Sequence, residues 1–84
     1  MIVKVCGVTN LADAEVAIQA GANALGFNFY PPSPRYIAPA AARAIIDRLP
    51  AGILKAGIFV NETPAAVEAT SAAAGLDVAQ VIGE

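Results

Sequence analysis

Five side chains in this sequence stand where chemistry is commonly carried out: Cys6, Lys4, Arg35, Asn61 and Gln80. Cys6 closes a short β-branched run and precedes a glycine and a helix start, the place where βα enzymes put reactive groups. A thiol there can be activated by the partial positive charge of the helix N-terminus and by Lys4, which lies on the same strand face about 7 Å away by strand rise. The competing reading of Cys6 is a small buried hydrophobe. Lys4 is a charge inside an apolar strand; in a closed barrel it requires a carboxylate partner, and at the edge of an open sheet it simply reaches solvent. Arg35 follows a proline-rich stretch, and its planar guanidinium suits a substrate carboxylate held through two hydrogen bonds; the alternative is a solvated surface arginine. Asn61 and Gln80 are further polar candidates for substrate contact, with the alternative that they satisfy loop backbone groups.

Other chemistries find little support. Gly7, Gly26, Gly57 and Gly83 are not spaced as a dinucleotide fingerprint, and no glycine-rich run resembles a phosphate-cradling loop, so a nucleotide cofactor is not expected. Asp13 and Glu15, two apart on a helix, point in different directions and form no carboxylate pair. With one cysteine and no histidine the chain has neither an internal disulfide nor a mixed Cys/His metal site, and no metal is expected. The net charge is −2 and the five cations are scattered, which argues against nucleic acid as a partner. Although 57% of residues are hydrophobic, no window reaches the ~20 uninterrupted apolar residues of a membrane span. The first residues are too short an apolar run for a secretory leader, so a cytoplasmic, reduced protein is expected.

The elements that must position these side chains follow from punctuation and period. Ile2 to Cys6 reads as a strand closed by Gly7, and Thr9-Asn10 are N-cap candidates for a helix carrying Leu11, Ala14 and Ile18 that ends at Gly21. Ala24 to Tyr30 reads as a second strand, and the prolines at 31, 32 and 34 force a loop because they withhold ladder donors. Pro39 suits the first turn of a helix with Ala42, Ile45, Ile46 and Leu49 on one stripe, stopped by Pro50 and Gly52. Leu54 to Val60 is the third strand, Thr63-Pro64 opens a helix that closes at Gly75, and Val78 to Ile82 is the fourth strand. Strand starts recur every 22 to 30 residues, and Ala20-Gly21-Ala22-Asn23 echoes Ala74-Gly75-Leu76-Asp77. The expected order is βαβαβαβ, a parallel sheet either doubly wound or rolled toward a barrel.

A chain of 84 residues buries only roughly 60% of the surface it exposes when unfolded. Where a fourth helix would begin the sequence has only Gly83-Glu84, so the reading leaves strand four with an open edge and predicts self-association or pairing with a complementing segment.

Three strings in register, Val3-Lys4-Val5-Cys6-Gly7-Val8-Thr9, Leu25-Gly26-Phe27-Asn28-Phe29-Tyr30-Pro31-Pro32-Ser33-Pro34-Arg35-Tyr36 and Gly57-Ile58-Phe59-Val60-Asn61, resemble phosphoribosylanthranilate isomerase of tryptophan biosynthesis. The resemblance covers essentially the whole chain and corresponds to the first three βα units and the fourth strand of that family's barrel. It implies an α/β fold, half of a TIM (β/α)8 barrel, with residues 1–84 as a single N-terminal half-barrel. It also implies an Amadori rearrangement of a phosphosugar-anthranilate substrate without a cofactor, in which Cys6 is the general base and Arg35 holds the anthranilate group. The family's catalytic aspartate and phosphate-binding loops fall beyond Glu84, so these residues alone are expected to be inactive, and a C-terminal half-barrel is the expected complement. One departure is Ile82, which stands where the family usually has a histidine before the glycine. The alternative from another class is a non-catalytic assembly module, in which half-barrels pair through their open strands and Cys6 only fills space.

Overall fold

Each helix begins where a side chain or a proline meets the open backbone donors of its first turn. In the computed structural model, which describes residues 1–83, helix α1 (Leu11–Gln19) starts at Asn10, whose Oδ1 accepts the Asp13 N–H at 2.8 Å while its Nδ2 donates to the Asp13 carboxylate at 3.0 Å. The two residues thus cap one another, a variant of the capping box. Helix α2 (Pro39–Ile46) has no side-chain cap and relies on Pro39, whose missing N–H is no loss in the first turn. Helix α3 (Pro64–Ala74) combines both devices, with Thr63 Oγ1 accepting from Ala66 N at 3.2 Å, and ends on Gly75 in the left-handed region.

The strands are β1 (Lys4–Cys6), β2 (Ala24–Asn28), β3 (Leu54–Val60) and β4 (Val78–Ile82), all parallel and in the spatial order β1-β2-β3-β4. Because spatial order follows chain order, right-handed crossovers carry every helix to the same face. A doubly wound sheet would reverse direction and cover both faces, so this order selects the barrel-type alternative. Alternation along the strands then assigns the faces. Leu25, Phe27, Phe29 and Phe59 point to the helices and form a buried cluster with Ala14, Ala42, Ile45, Ile46 and Ala74. The Phe29 and Phe59 rings stack with centroids 5.3 Å apart. Lys4, Cys6, Gly26, Asn28, Ile58 and Gln80 belong by register to the opposite, bare face.

Three boundaries differ from the sequence reading. Strand β1 is shorter at its start: Ile2 is outside the ladder, and Val3 bonds to Asn23. Strand β2 ends at Asn28 rather than Tyr30, because Asn28 Oδ1 takes the Tyr30 N–H at 2.9 Å and the returning loop donates Ile37 N to Asn28 O, also at 2.9 Å. Helix α2 stops at Ile46, and Arg48 and Leu49 close tighter turns onto Ile45 O and Ile46 O. Pro50 explains this, since the residue before a proline is driven out of helical geometry.

The echo between the two helix-to-strand joints is a structural repeat. Asn23 donates its N–H to Val3 O at 3.0 Å and accepts Val3 N on its side chain at 2.7 Å. Asp77 does the same with Lys55, donating at 2.8 Å and accepting at 2.9 Å. In each case one residue of the preceding β-unit is clasped through both its backbone groups, which fixes the register of a strand at the base of the sheet.

Candidate active site

The C-terminal ends of the strands and the loops that follow them carry the candidate side chains. Cys6, the last residue of β1, is exposed, which removes the reading of it as a buried hydrophobe. Its neighbour Gly7 has φ +80°, a left-handed conformation that side chains rarely adopt. That glycine also makes room for Arg35. A Cβ built on Gly7 would lie 2.5 Å from Arg35 Cδ and 3.2 Å from Nη1, so the arginine stem crosses directly over the residue that follows the thiol. The β2–α2 loop brings it there through its own bonds: Ser33 N donates to Tyr30 O at 2.9 Å, Arg35 N to Ser33 Oγ at 3.1 Å, and Tyr36 N to Ser33 O at 3.1 Å.

Lys4 joins from the same strand. A Cβ on Gly26 would lie 3.1 Å from Cys6 Sγ and 3.3 Å from Lys4 Cε, so the two side chains lean toward one point over β2. Among the described residues Lys4 makes no ion pair, and its side chain is exposed. The interior lysine with a carboxylate partner is therefore not found, and the edge-strand reading describes its surroundings. Cys6, Gly7, Pro34 and Arg35 share a groove of about 560 Å³ with Asp13 and Val16 of α1.

The structure does not bring all five candidates together. Gln80 lies opposite Ile58 on β4 and shares the bare face with Cys6, but three strand spacings, about 14 Å along the sheet, separate their strands. Asn61 follows β3 with φ 55° and donates its N–H to Ile82 O at 2.9 Å, so its backbone closes the β3–β4 ladder. Sequence reasoning passed over two residues. Asp13 lines the groove beside the thiol and the guanidinium, and its signal was the Asn10-x-x-Asp13 spacing of a reciprocal cap. Gly26 was the other; only register, Cys6 opposite Gly26, reveals it.

The side chains that meet in this corner are the Cys6 thiol, the Lys4 stem over Gly26 and Arg35 over Gly7, and Asp13 is the carboxylate among the described residues that line the groove. Such a set can accept a proton at sulfur and hold an anionic group at the guanidinium, and it lacks an evident acid for a leaving oxygen. Among the described residues no three His, Cys, Asp or Glu side chains gather as metal ligands, and no helix is long and apolar enough to cross a membrane.

Comparison with known proteins bears on this arrangement. A sequence model of the family N-(5'phosphoribosyl)anthranilate (PRA) isomerase matches residues 3–84. The N-(5'-phosphoribosyl)anthranilate isomerase of Solibacter usitatus is 54% identical over the whole chain, which covers 41% of that protein, and that of Syntrophus aciditrophicus is 50% identical over 82 residues, 36% of its length. The chain thus spans about two fifths of the length of the curated relatives it matches. Among solved structures, phosphoribosyl anthranilate isomerase from Thermus thermophilus superposes on all of the chain with a TM-score of 0.95 at 46% identity, the chain covering 42% of it. A further such isomerase, in complex with reduced 1-(o-carboxyphenylamino)-1-deoxyribulose 5-phosphate, gives a TM-score of 0.95 at 45% identity over 44% of its chain.

Proposed function

The chain belongs to the N-(5'-phosphoribosyl)anthranilate isomerase family, and from that membership we propose that it supplies the general-base half of an Amadori rearrangement of N-(5'-phosphoribosyl)anthranilate in tryptophan biosynthesis. In that reaction the amino sugar opens to an imine, a proton leaves the adjacent ribose carbon to give an enolamine, and the enolamine tautomerises to the ketose. Cys6 as thiolate takes the carbon-bound proton. Arg35 holds the anthranilate carboxylate, and Lys4 is assigned to contact the substrate beside Cys6. Asn61 and Gln80 are assigned to the opposite rim of the same mouth.

The observation that carries this reading is the passage of Arg35 across Gly7, the residue next to Cys6, with Cys6 and Arg35 lining one groove. Proton transfer at carbon between a base and an acid needs no cofactor. The resemblance places the acid and the phosphate contacts in the part of the relatives that these residues do not span, so residues 1–84 alone are expected to show no turnover. The reading includes a cytoplasmic location.

The test is complementation. The 84-residue chain is mixed or fused with the remaining segment of the Thermus thermophilus relative, and conversion of phosphoribosylanthranilate is followed by fluorescence. Activity should appear only in the combination, and Cys6→Ser should lower kcat by about 10²- to 10⁴-fold, the usual share of a positioned base. Turnover by the chain alone, or a Cys6→Ser combination as active as the parent, would refute the assignment.

A second reading has one observation in its favour. Every residue of β4 is exposed, including Val78, Val81 and Ile82 on both of its faces, so the strand offers an apolar edge to another copy or to a complementing half. Sedimentation of the purified chain decides it: a dimer that complementation does not dissociate favours the assembly module, and a monomer removes it.

A further inference from the structure

Cys6 stands opposite Gly26 in the β1–β2 register, and the position where Gly26 would carry a side chain is crowded by two residues of β1. Cys6 Sγ lies 3.1 Å from that position, Cys6 Cα 3.3 Å and Lys4 Cε 3.3 Å. Those separations are tighter than ordinary van der Waals contact, so a methyl group there could not be added without movement. Gly26 is buried and has no positive φ, so its backbone does not demand glycine; the crowding above it does.

We propose that Gly26 is a positioning residue of the site: by lacking a side chain it gives the Cys6 thiol and the Lys4 stem a common resting place on β2, and so sets where the base stands. The inference rests on the base role proposed for Cys6. The three neighbours respond differently to an added Cβ. Lys4 Cε is near the free end of a flexible side chain and swings aside at little cost. Cys6 Sγ yields the few tenths of an ångström required by a partial turn about one bond. Cys6 Cα is backbone, held by the β1–β2 ladder, and yields least. A sulfur turned off its staggered position in this way is strained as well as displaced, and proton transfer depends on where the accepting atom stands.

Two sets of measurements test this. On the 84-residue chain, alkylation of Cys6 by iodoacetamide is followed by mass spectrometry. Gly26→Ala is expected to change the rate about three-fold or more, because thiol reactivity follows its immediate surroundings. Gly83→Ala, at a glycine with nothing within 4 Å of its side-chain position, is expected to leave the rate unchanged. Thermal unfolding then separates positioning from backbone effects: the drop in Tm caused by Gly26→Ala should shrink in a Cys6→Ala background, since one of the crowding atoms is gone. An equal drop in both backgrounds, or an alkylation rate unmoved by Gly26→Ala, overturns the proposal. If Gly26→Ala does not fold, recovery of the folded spectrum in the Cys6→Ala background supports it and failure in both backgrounds overturns it.

In the complemented enzyme, Gly26→Ala should lower kcat about ten-fold or more while KM stays within about two-fold, because substrate contacts persist and the proton-accepting atom does not. A rise in KM at constant kcat counts against the proposal. Absence of activity in the complemented parent would sink the isomerase reading and leave the alkylation and unfolding results to judge Gly26 on their own.

Discussion

In β2 and β3 the helix-covered face carries the large, dry side chains, and the buried positions of the bare face are small. Phe27 and Leu25 are 0% exposed and Phe59 is 2% exposed, locked among the three helices. Opposite them the buried positions are Ala24, Gly26 and Ala56, while Lys4, Cys6 and Gln80 meet solvent. The same strands therefore serve two purposes through the period of the β-pleat: one parity holds the segment together, and the other is left free to present chemistry. Substitutions should divide by parity, harming stability on one face and reactivity on the other.

The largest expected effect on stability is at the centre of the covered face. Phe27→Ala leaves a ring-sized cavity beneath the helices and should cost about 3–5 kcal/mol, enough to abolish a cooperative melting transition in a domain this small. Circular dichroism on heating checks this, and a variant that melts near the parent temperature would deny the face its structural role. Next come the two clasps at the base of the sheet. Asn23→Ala and Asp77→Ala each strip a backbone N–H of its side-chain acceptor and should each cost about 1 kcal/mol in chemical denaturation. The Asp77 variant alone should show a salt dependence, because Lys55 Nζ lies 3.5 Å from the same carboxylate. Smallest is Cys6→Ser on the bare face: it should leave the free energy of unfolding within about 0.5 kcal/mol of the parent, as for other exposed positions. A large loss there would break the division between faces.

Much of the covered face was legible in the sequence because it is written in local signals. The bounds of β3 and β4, the Thr63-Pro64 start and the Gly75 stop follow from apolar runs and caps. The ends of β1 and β2 did not, because each is set by a partner outside the element, Asn23 for Val3 and the returning loop for Asn28; Pro50 marked the stop of α2, but the tighter turns onto Ile45 O and Ile46 O that end it earlier have no signal of their own. On the bare face, Cys6 and Arg35 were visible by residue type, and the structure sets them together. That Lys4 pairs with no carboxylate among the described residues, and that Gln80 stands at a distance, depend on how far the sheet curls and on what stands opposite, which strand parity alone does not carry. Gly26 was silent for a related reason: a glycine valued for missing atoms has no periodicity to announce it.

The monotonic strand order has a kinetic side. Among the described residues β2, β3 and β4 each pair with the strand that precedes them in the chain, and contacts of this local kind close with modest entropy loss. As the polypeptide leaves the ribosome the sheet can grow one βα unit at a time, with each Asx clasp fastening the newest strand to a finished one. The thiol stands on β1 and Arg35 follows β2, so the corner around Gly7 is assembled from two adjacent βα units and does not wait for β3 or β4.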